Sequence, residues 1–295
     1  MKANHNIDEN LLNNQAEFTA PFFQSFKLRN NIAPLELTQN IKKDYLFPTF
    51  YGDVSCAIGI FLCDYDKAHA MLPHPEMKPI RMPRNKALVT FSCYEYKKVL
   101  GVAPYNEIAM TIPCQVAPLI NVPLLPVVAE KLFPKFGYHV FHMPVTSLEN
   151  QIRGLKIWGL PKVVDDISIN VNNGMSTTTA TDSDGNDYFT LNVPTSGQPT
   201  KFNVSSNLYS VLDGQLKQSE TCFSAEFMVN KYISRLFKGD GDDPQALVLG
   251  KGKYADKLRE LDIEPQPFQF RYAATMNACF DLPNSDYQPP FQFKE

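Results

Sequence analysis

The chain has 295 residues, of which 28 are basic and 31 acidic, for a formal net charge of −3. That balance leaves no basic footprint, so nucleic acid is not an expected partner. Hydrophobic residues are 44% of the chain, enough for a core and too many for a disordered sequence. The most apolar stretch, residues 116–129, contains Pro118, Pro123 and Pro126 and falls short of the roughly 20 apolar residues of a spanning helix, so no membrane association is expected. Residues 1–20 are Asn-rich and polar and lack the apolar run of a secretory signal. The expectation is a cytoplasmic protein whose cysteines, Cys56, Cys63, Cys93, Cys114, Cys222 and Cys279, stay reduced. None of the six is spaced C-x-x-C and most neighbours are apolar, which reads as small buried hydrophobes.

There is no internal repeat, heptad or low-complexity tract. Residues 1–20 read as a mobile or partner-dependent extension, and 21–295 as a single domain. Residues 54–63 (VSCAIGIFLC) predict a strand, and 64–72 a short helix capped by Asp64. Residues 87–99 (ALVTFSCYEYKKV), 107–116 (EIAMTIPCQV) and 138–145 (YHVFHMPV) predict further strands. Residues 147–156 read as a short helix with Ser147 at its cap. Residues 165–171 and 176–181 alternate about Asn172-Asn173-Gly174, and 186–193 follows Asp182-Ser183-Asp184-Gly185, which are hairpin signals. Residues 224–232 and 268–280 complete the strands. Alternation implies antiparallel sheets with one buried face, and no Gly-rich phosphate loop follows a strand. The fold class is therefore α+β, a large antiparallel sheet or barrel with a few short helices.

Chemistry-bearing motifs are few. His139 and His142 are three apart, which on a regular strand puts them on opposite faces, so no metal site is expected. No G-x-S-x-G elbow is present. Lys162 ends the run Ile157-Trp158-Gly159-Leu160-Pro161 and precedes Val163-Val164. An amine in such apolar surroundings is under desolvation pressure, which lowers its pKa, and a neutral amine attacks carbonyls to form imines. From these residues alone, a lysine that lies along apolar surface and snorkels to water is the favoured reading. Glu107, after Pro104-Tyr105-Asn106, is either a strand-end charge or a carboxylate serving proton transfer. Arg81 and Arg84 are candidate partners for an anionic substrate, or solvated loop charges.

These segments, in this order, resemble the acetoacetate decarboxylase family from about Phe47 to Pro283. The anchors are Asp64-Tyr65-Asp66 with Leu72-Pro73, then Tyr105-Asn106-Glu107, then Pro144-Val145-Thr146. The most specific is Gly154-Leu155-Lys156-Ile157-Trp158-Gly159-Leu160-Pro161-Lys162, which is similar to the family's G-R-E-(I/L)-W-G-(F/Y)-P-K. Leu261-Asp262, Tyr272 and Phe280-Asp281-Leu282-Pro283 follow more loosely. The resemblance implies a cone-like antiparallel β-barrel with surrounding short helices, in a homo-oligomer, acting on a small-molecule keto acid without a cofactor or metal. It implies catalytic roles for Lys162, as the Schiff-base lysine, and Glu107, and substrate contacts from Trp158 and Tyr105, with Arg81 and Arg84 as candidates for the carboxylate. The implied reaction is decarboxylation of acetoacetate or a larger β-keto acid. Aldolase or dehydratase chemistry through the same imine, and a non-catalytic binder of an apolar small molecule, are the alternatives.

The sequence departs from the family pattern at several positions. The second lysine after the Schiff-base residue is Val163 here, so activation of Lys162 rests more on burial. The family's substrate-facing arginine has no counterpart around residues 54–56. An acidic residue near Phe91 is replaced by Ser92, and the Arg-Glu of the nonapeptide is Leu155-Lys156. An apolar pocket short of positive charge favours a larger or less charged carbonyl compound, with Arg81, Arg84 or Arg153 as possible substitutes. The proline-broken stretch at 119–133 reads as core or subunit contact, or as a lid over the pocket.

Overall fold

The structure is a computed structural model and describes residues 1–7, 13–119, 121–124, 132–238 and 245–293. Most of the apolar stretch at 119–133, and with it the expected lid or contact, lies outside the described residues.

The first long strand, β1 (Thr49–Asp64), pairs antiparallel with β3 (Lys86–Val99), and β3 with β4 (Tyr105–Val116). A short strand, β2 (Met77–Pro79), lies beside the far end of β4. Strand β5 (Phe136–Val145) pairs with β4 on one side. On its other side it takes two short parallel partners, β6 (Lys162–Val164) and residues 207–209 of β10 (Gln198–Leu212). β10 forms a long hairpin with β11 (Gln215–Lys231). Strands β13 (Pro267–Ala273) and β14 (Met276–Pro283) each bridge β11 to β1. These pairings close a ring, antiparallel apart from the two parallel contacts at β5.

A second, four-stranded antiparallel sheet covers part of the outside: β7 (Asp166–Asn172), β8 (Met175–Thr181), β9 (Asp187–Pro194) and β12 (Leu247–Leu249). It packs so closely that a Cβ on Gly59 of β1 would stand 2.8 Å from Leu191 Cδ1. One core cluster lies between ring and sheet, built from residues such as Phe61, Phe91, Ile108 and Leu191. A second fills the ring's inner side, with Ile58, Ile60, Leu88 and Trp158. β1, β3 and β4 therefore bury both faces, which is why they read as near-continuous apolar runs.

Local signals act as expected. Asp64 caps α1 (Tyr65–Ala70) by accepting from the backbone N–H groups of Asp66 and Lys67, and Ser147 caps α2 (Leu148–Arg153). Asn173-Gly174 forms a two-residue turn with positive φ at both positions (49° and 76°), the geometry that suits a hairpin's twist.

Three features differ from expectation. β10 carries no apolar alternation strong enough to mark it, yet it is a full ring strand, joined to β11 through Asp213-Gly214 with φ of 51° and 66°. The run at 268–280 is two strands, β13 and β14. The register of β4 with β5 shifts between Met110 and Thr111, leaving Phe141 unpaired, and a bulge of this kind inverts the inside–outside alternation. Val140 and Met143 both join the inner cluster while Phe141 joins the outer one. His139 and His142 consequently share a face instead of opposing one another, and Lys257 acts electrostatically on both. Among the described residues no His, Cys, Asp and Glu cluster has the makings of a metal site, and no helix is long and apolar enough to cross a membrane.

The N-terminal residues lie against the body. The Met1 ammonium donates to the Ile167 carbonyl, and Asn4 bonds both Thr146 and Leu148 through its backbone. Phe18 packs with Phe23 and Phe50. Five of the cysteines are buried, Cys222 is half-buried, and all six are free thiols.

Candidate active site

The nonapeptide folds as one unit. After α2 the chain widens into a π-helical turn, Gly154–Trp158, and stops at Gly159, whose φ is +66°. A Cβ there would fall 2.0 Å from the Val211 carbonyl oxygen, so only glycine fits. Pro161 then leads into β6, where the Lys162 backbone N–H donates to the Leu160 carbonyl at 2.7 Å and its carbonyl accepts from Gln151 Nε2 at 3.2 Å. The Lys162 stem lies on Gly154: a Cβ on Gly154 would sit 2.4 Å from Lys162 Cδ and 2.7 Å from Cε.

Lys162 is 7% exposed and Glu107, on β4, 5% exposed. Lys162 Nζ stands 2.5 Å from Glu107 Oε2, and the other oxygen, Oε1, accepts from Tyr96 Oη at 3.2 Å. The amine lies 5.7 Å from the ring centroid of Tyr105. Burial pushes the Lys162 pKa below its ordinary value. Contact with Glu107 opposes that shift, and the positive charge of Arg153 adds to it.

Lys162 and Glu107 line a cavity of about 280 Å³ inside the ring. Its walls are mainly aromatic and aliphatic, with Phe202, Phe223, Phe227, Ile58, Ile60 and Leu88 among them. Trp158 is part of the lining, held by its Nε1–H donating to the Asp281 carbonyl at 2.8 Å and by stacking on Phe280 at 4.9 Å. Tyr105 backs the amine from behind the lining. The structure thus brings together Lys162, Glu107, Trp158 and Tyr105.

It does not bring Arg81 or Arg84 to them. Arg81 is exposed, with its guanidinium 4.5 Å from the Tyr65 ring centroid. Arg84 forms a two-pronged pair with Glu264 at 2.9 and 3.0 Å and also donates to the carbonyls of Leu236 and Arg235. Neither lines the cavity. Two other arginines do. Arg153 is 2% exposed, bonded to Asn150 Oδ1 and Thr49 Oγ1 at 3.0 Å each, with the Tyr45 ring 4.4 Å away. Arg271, on β13, packs its guanidinium on the Phe202 ring at 4.9 Å and donates to Gln269 Oε1 at 3.3 Å. Sequence reasoning missed Arg271 and Gln269 because β13 is recognisable only as an apolar run. The one available signal was the Gln-Phe-Arg alternation at 269–271, which places two polar side chains on one face.

The fold agrees with the comparisons. The chain belongs to the acetoacetate decarboxylase family, whose model matches residues 32–263. No curated protein sequence matches it. Among solved structures, an acetoacetate decarboxylase from Legionella pneumophila subsp. pneumophila strain Philadelphia 1 is similar with a TM-score of 0.54 and 14% identity, over 91% of this chain and 93% of that one. A second acetoacetate decarboxylase structure gives 0.53 and 12%, over 80% and 87%. The enduracididine biosynthesis enzyme MppR, complexed with pyruvate, gives 0.52 and 13%, over 81% and 91%. At these identities the likeness is one of fold.

Proposed function

We propose that this protein is a Schiff-base carbon–carbon lyase that decarboxylates a β-keto acid, with Lys162 as nucleophile and Glu107 as proton carrier. One observation carries the reading: a buried amine, 2.5 Å from a carboxylate, on the wall of a mainly apolar cavity. Desolvation favours the neutral amine, which is the nucleophilic form. Membership of the family supports it, and the fold neighbour complexed with pyruvate is a keto-acid complex of a similar architecture.

The Lys162 amine adds to the substrate ketone, and the carbinolamine loses water to give a protonated imine. That cation accepts the electron pair released as the carbon–carboxylate bond breaks and carbon dioxide leaves. The resulting enamine takes a proton on carbon, and water hydrolyses the imine to ketone and free lysine. Glu107 touches Nζ and is the nearest group to receive the proton lost on imine formation and return it. Tyr96 fixes the carboxylate's other oxygen. Val163 removes the neighbouring cation of the family motif, so the pKa of Lys162 falls through burial first, with Arg153 contributing.

Borohydride reduction after incubation with acetoacetate and longer β-keto acids tests this reading. A stable adduct mapped to Lys162, absent from Lys162→Ala, is the expected result, and carbon dioxide release in parallel separates decarboxylation from aldol or dehydration chemistry. A folded protein that traps no carbonyl compound at all overturns it in favour of the ligand-binding alternative.

A further inference from the structure

The cavity has a second polar end. Strand registers align its wall into rows: Glu107 faces Tyr94 and Tyr94 faces Cys56. Two residues further along, Ala109 faces Ser92, Ser92 faces Ile58, and Ile58 faces Arg271. Two residues beyond that, Thr111 faces Thr90, Thr90 faces Ile60, and Ile60 faces Gln269. At about 3.4 Å per residue, the Arg271 row stands roughly 7 Å from the Glu107 row along the strands, and the Gln269 row roughly 14 Å.

Two polar groups of the farthest row, one on Gln269 and one on Thr90, are not used by the fold. Gln269 is 5% exposed and Thr90 6%, and both line the cavity. Gln269 Nε2 and Thr90 Oγ1 are buried with no hydrogen-bond partner among the described residues. A buried amide or hydroxyl left in this state costs free energy unless a ligand atom satisfies it. Arg271, whose row lies between the Gln269 row and the Glu107 row, adds a fixed positive charge to the cavity wall.

We infer that Arg271, Gln269 and Thr90 form an anion-binding subsite for a second carboxylate, so that the substrate is a 3-oxo dicarboxylic acid whose ketone reaches Lys162 while its distal carboxylate meets this subsite. The inference rests on the proposed imine chemistry at Lys162 and specifies its substrate. A guanidinium matches a carboxylate through paired N–H donors, and the Gln269 amide and Thr90 hydroxyl each have a hydrogen to donate. The intervening alkyl chain would lie on Ile58, Ile60 and Leu88.

The test compares acetoacetate with 3-oxoadipate and 3-oxosuberate in borohydride trapping and carbon dioxide release, for the native chain and for Arg271→Met, Gln269→Leu and Thr90→Val. A second arm measures binding of adipate and suberate, which have no ketone, by calorimetry in the native chain and in Lys162→Ala. The expected result is a preference of at least tenfold for a 3-oxo diacid over acetoacetate. The Arg271 and Gln269 variants should lose that preference while trapping acetoacetate as before, and suberate or adipate should still bind to Lys162→Ala. Equal loss for acetoacetate and the diacids would overturn the inference, because the subsite would then hold the reacting carboxylate. So would the absence of any diacid preference in the native chain. Failure of the imine reading itself is separate: no Lys162 adduct forms with any compound, whatever the calorimetry gives.

Discussion

Lys162 shows how one side chain's chemistry depends on contacts that have no chemistry of their own. Gly154 supplies the floor on which its stem lies. With a Cβ only 2.4 Å from Lys162 Cδ, Gly154→Ala must push the stem aside and draw Nζ away from Glu107. The expected outcome is imine trapping reduced at least tenfold, with unfolding free energy changed by about 1 kcal/mol or less, read by trapping kinetics and urea titration on the same sample. Glu107→Gln separates two roles. The carboxylate holds the Lys162 pKa up against burial, so its removal lowers that pKa further. The pH at which the trapping rate reaches half its plateau should therefore move down, not up. Turnover should nevertheless fall by roughly 10²–10⁴, the usual worth of a positioned proton carrier. A pH profile of trapping beside one of turnover checks both directions at once.

At the scale of elements, the turn after α2 does the positioning. Gly159→Ala combines a left-handed backbone, which costs an L-residue about 1–2 kcal/mol, with a Cβ 2.0 Å from the Val211 carbonyl oxygen. We expect a loss on the order of 3 kcal/mol or more, seen as a lower urea midpoint, together with loss of the Lys162 adduct. This segment was legible from the sequence because its constraints are local: glycine where φ is positive, proline before a strand, a serine cap on the preceding helix. The hairpins at Asn173-Gly174 and the cap at Asp64 were legible for the same reason. β10 was not, because half-buried and exposed residues alternate only over 200–205, while 206–212 are all buried or half-buried with polar residues among them. The Asp213-Gly214 dipeptide was its only mark. The shared face of His139 and His142 was illegible too, because a bulge depends on the partner strand and leaves no trace in a single sequence. Arg271 and Gln269 enter the cavity only once the ring closes, whereas Arg81 and Arg84 stand near a recognisable strand and helix and serve Tyr65 and Glu264 instead.

For the whole molecule, the outer face of the ring sets the response to acid. His139 and His142 are buried on the outer face of β5, and burial lowers their pKa values to about 4 and about 3, with Lys257 adding to both shifts and Lys253 to that of His142. Unfolded histidine titrates near 6.5, so below that pH the unfolded chain binds protons that the folded chain refuses. The stability these neutral rings carry is therefore complete above pH 6.5 and is lost as the pH falls toward 4 and 3. His139 contributes on the order of 3 kcal/mol and His142 on the order of 5. Asp165 works the other way. Burial raises its carboxyl to about 6, although the Tyr188 hydroxyl that donates to it at 2.9 Å favours the charged form. The folded state pays for a buried charge above pH 6 and is relieved of it as the pH drops to 4. Two histidines outweigh one aspartate, so melting temperature should fall on acidification, most steeply between about pH 6.5 and 4. His142→Phe, placed against Tyr254 where the imidazole now stacks at 4.2 Å, should flatten that limb. Asp165→Asn keeps an acceptor for Tyr188 and removes the charge, so it should be more stable than the native chain above pH 6 and equal to it below about 4. Melting curves of the three proteins across pH 4–8 decide the matter, and a native melting temperature that is flat or rising toward pH 4 would contradict the assignment of neutral histidines to this face.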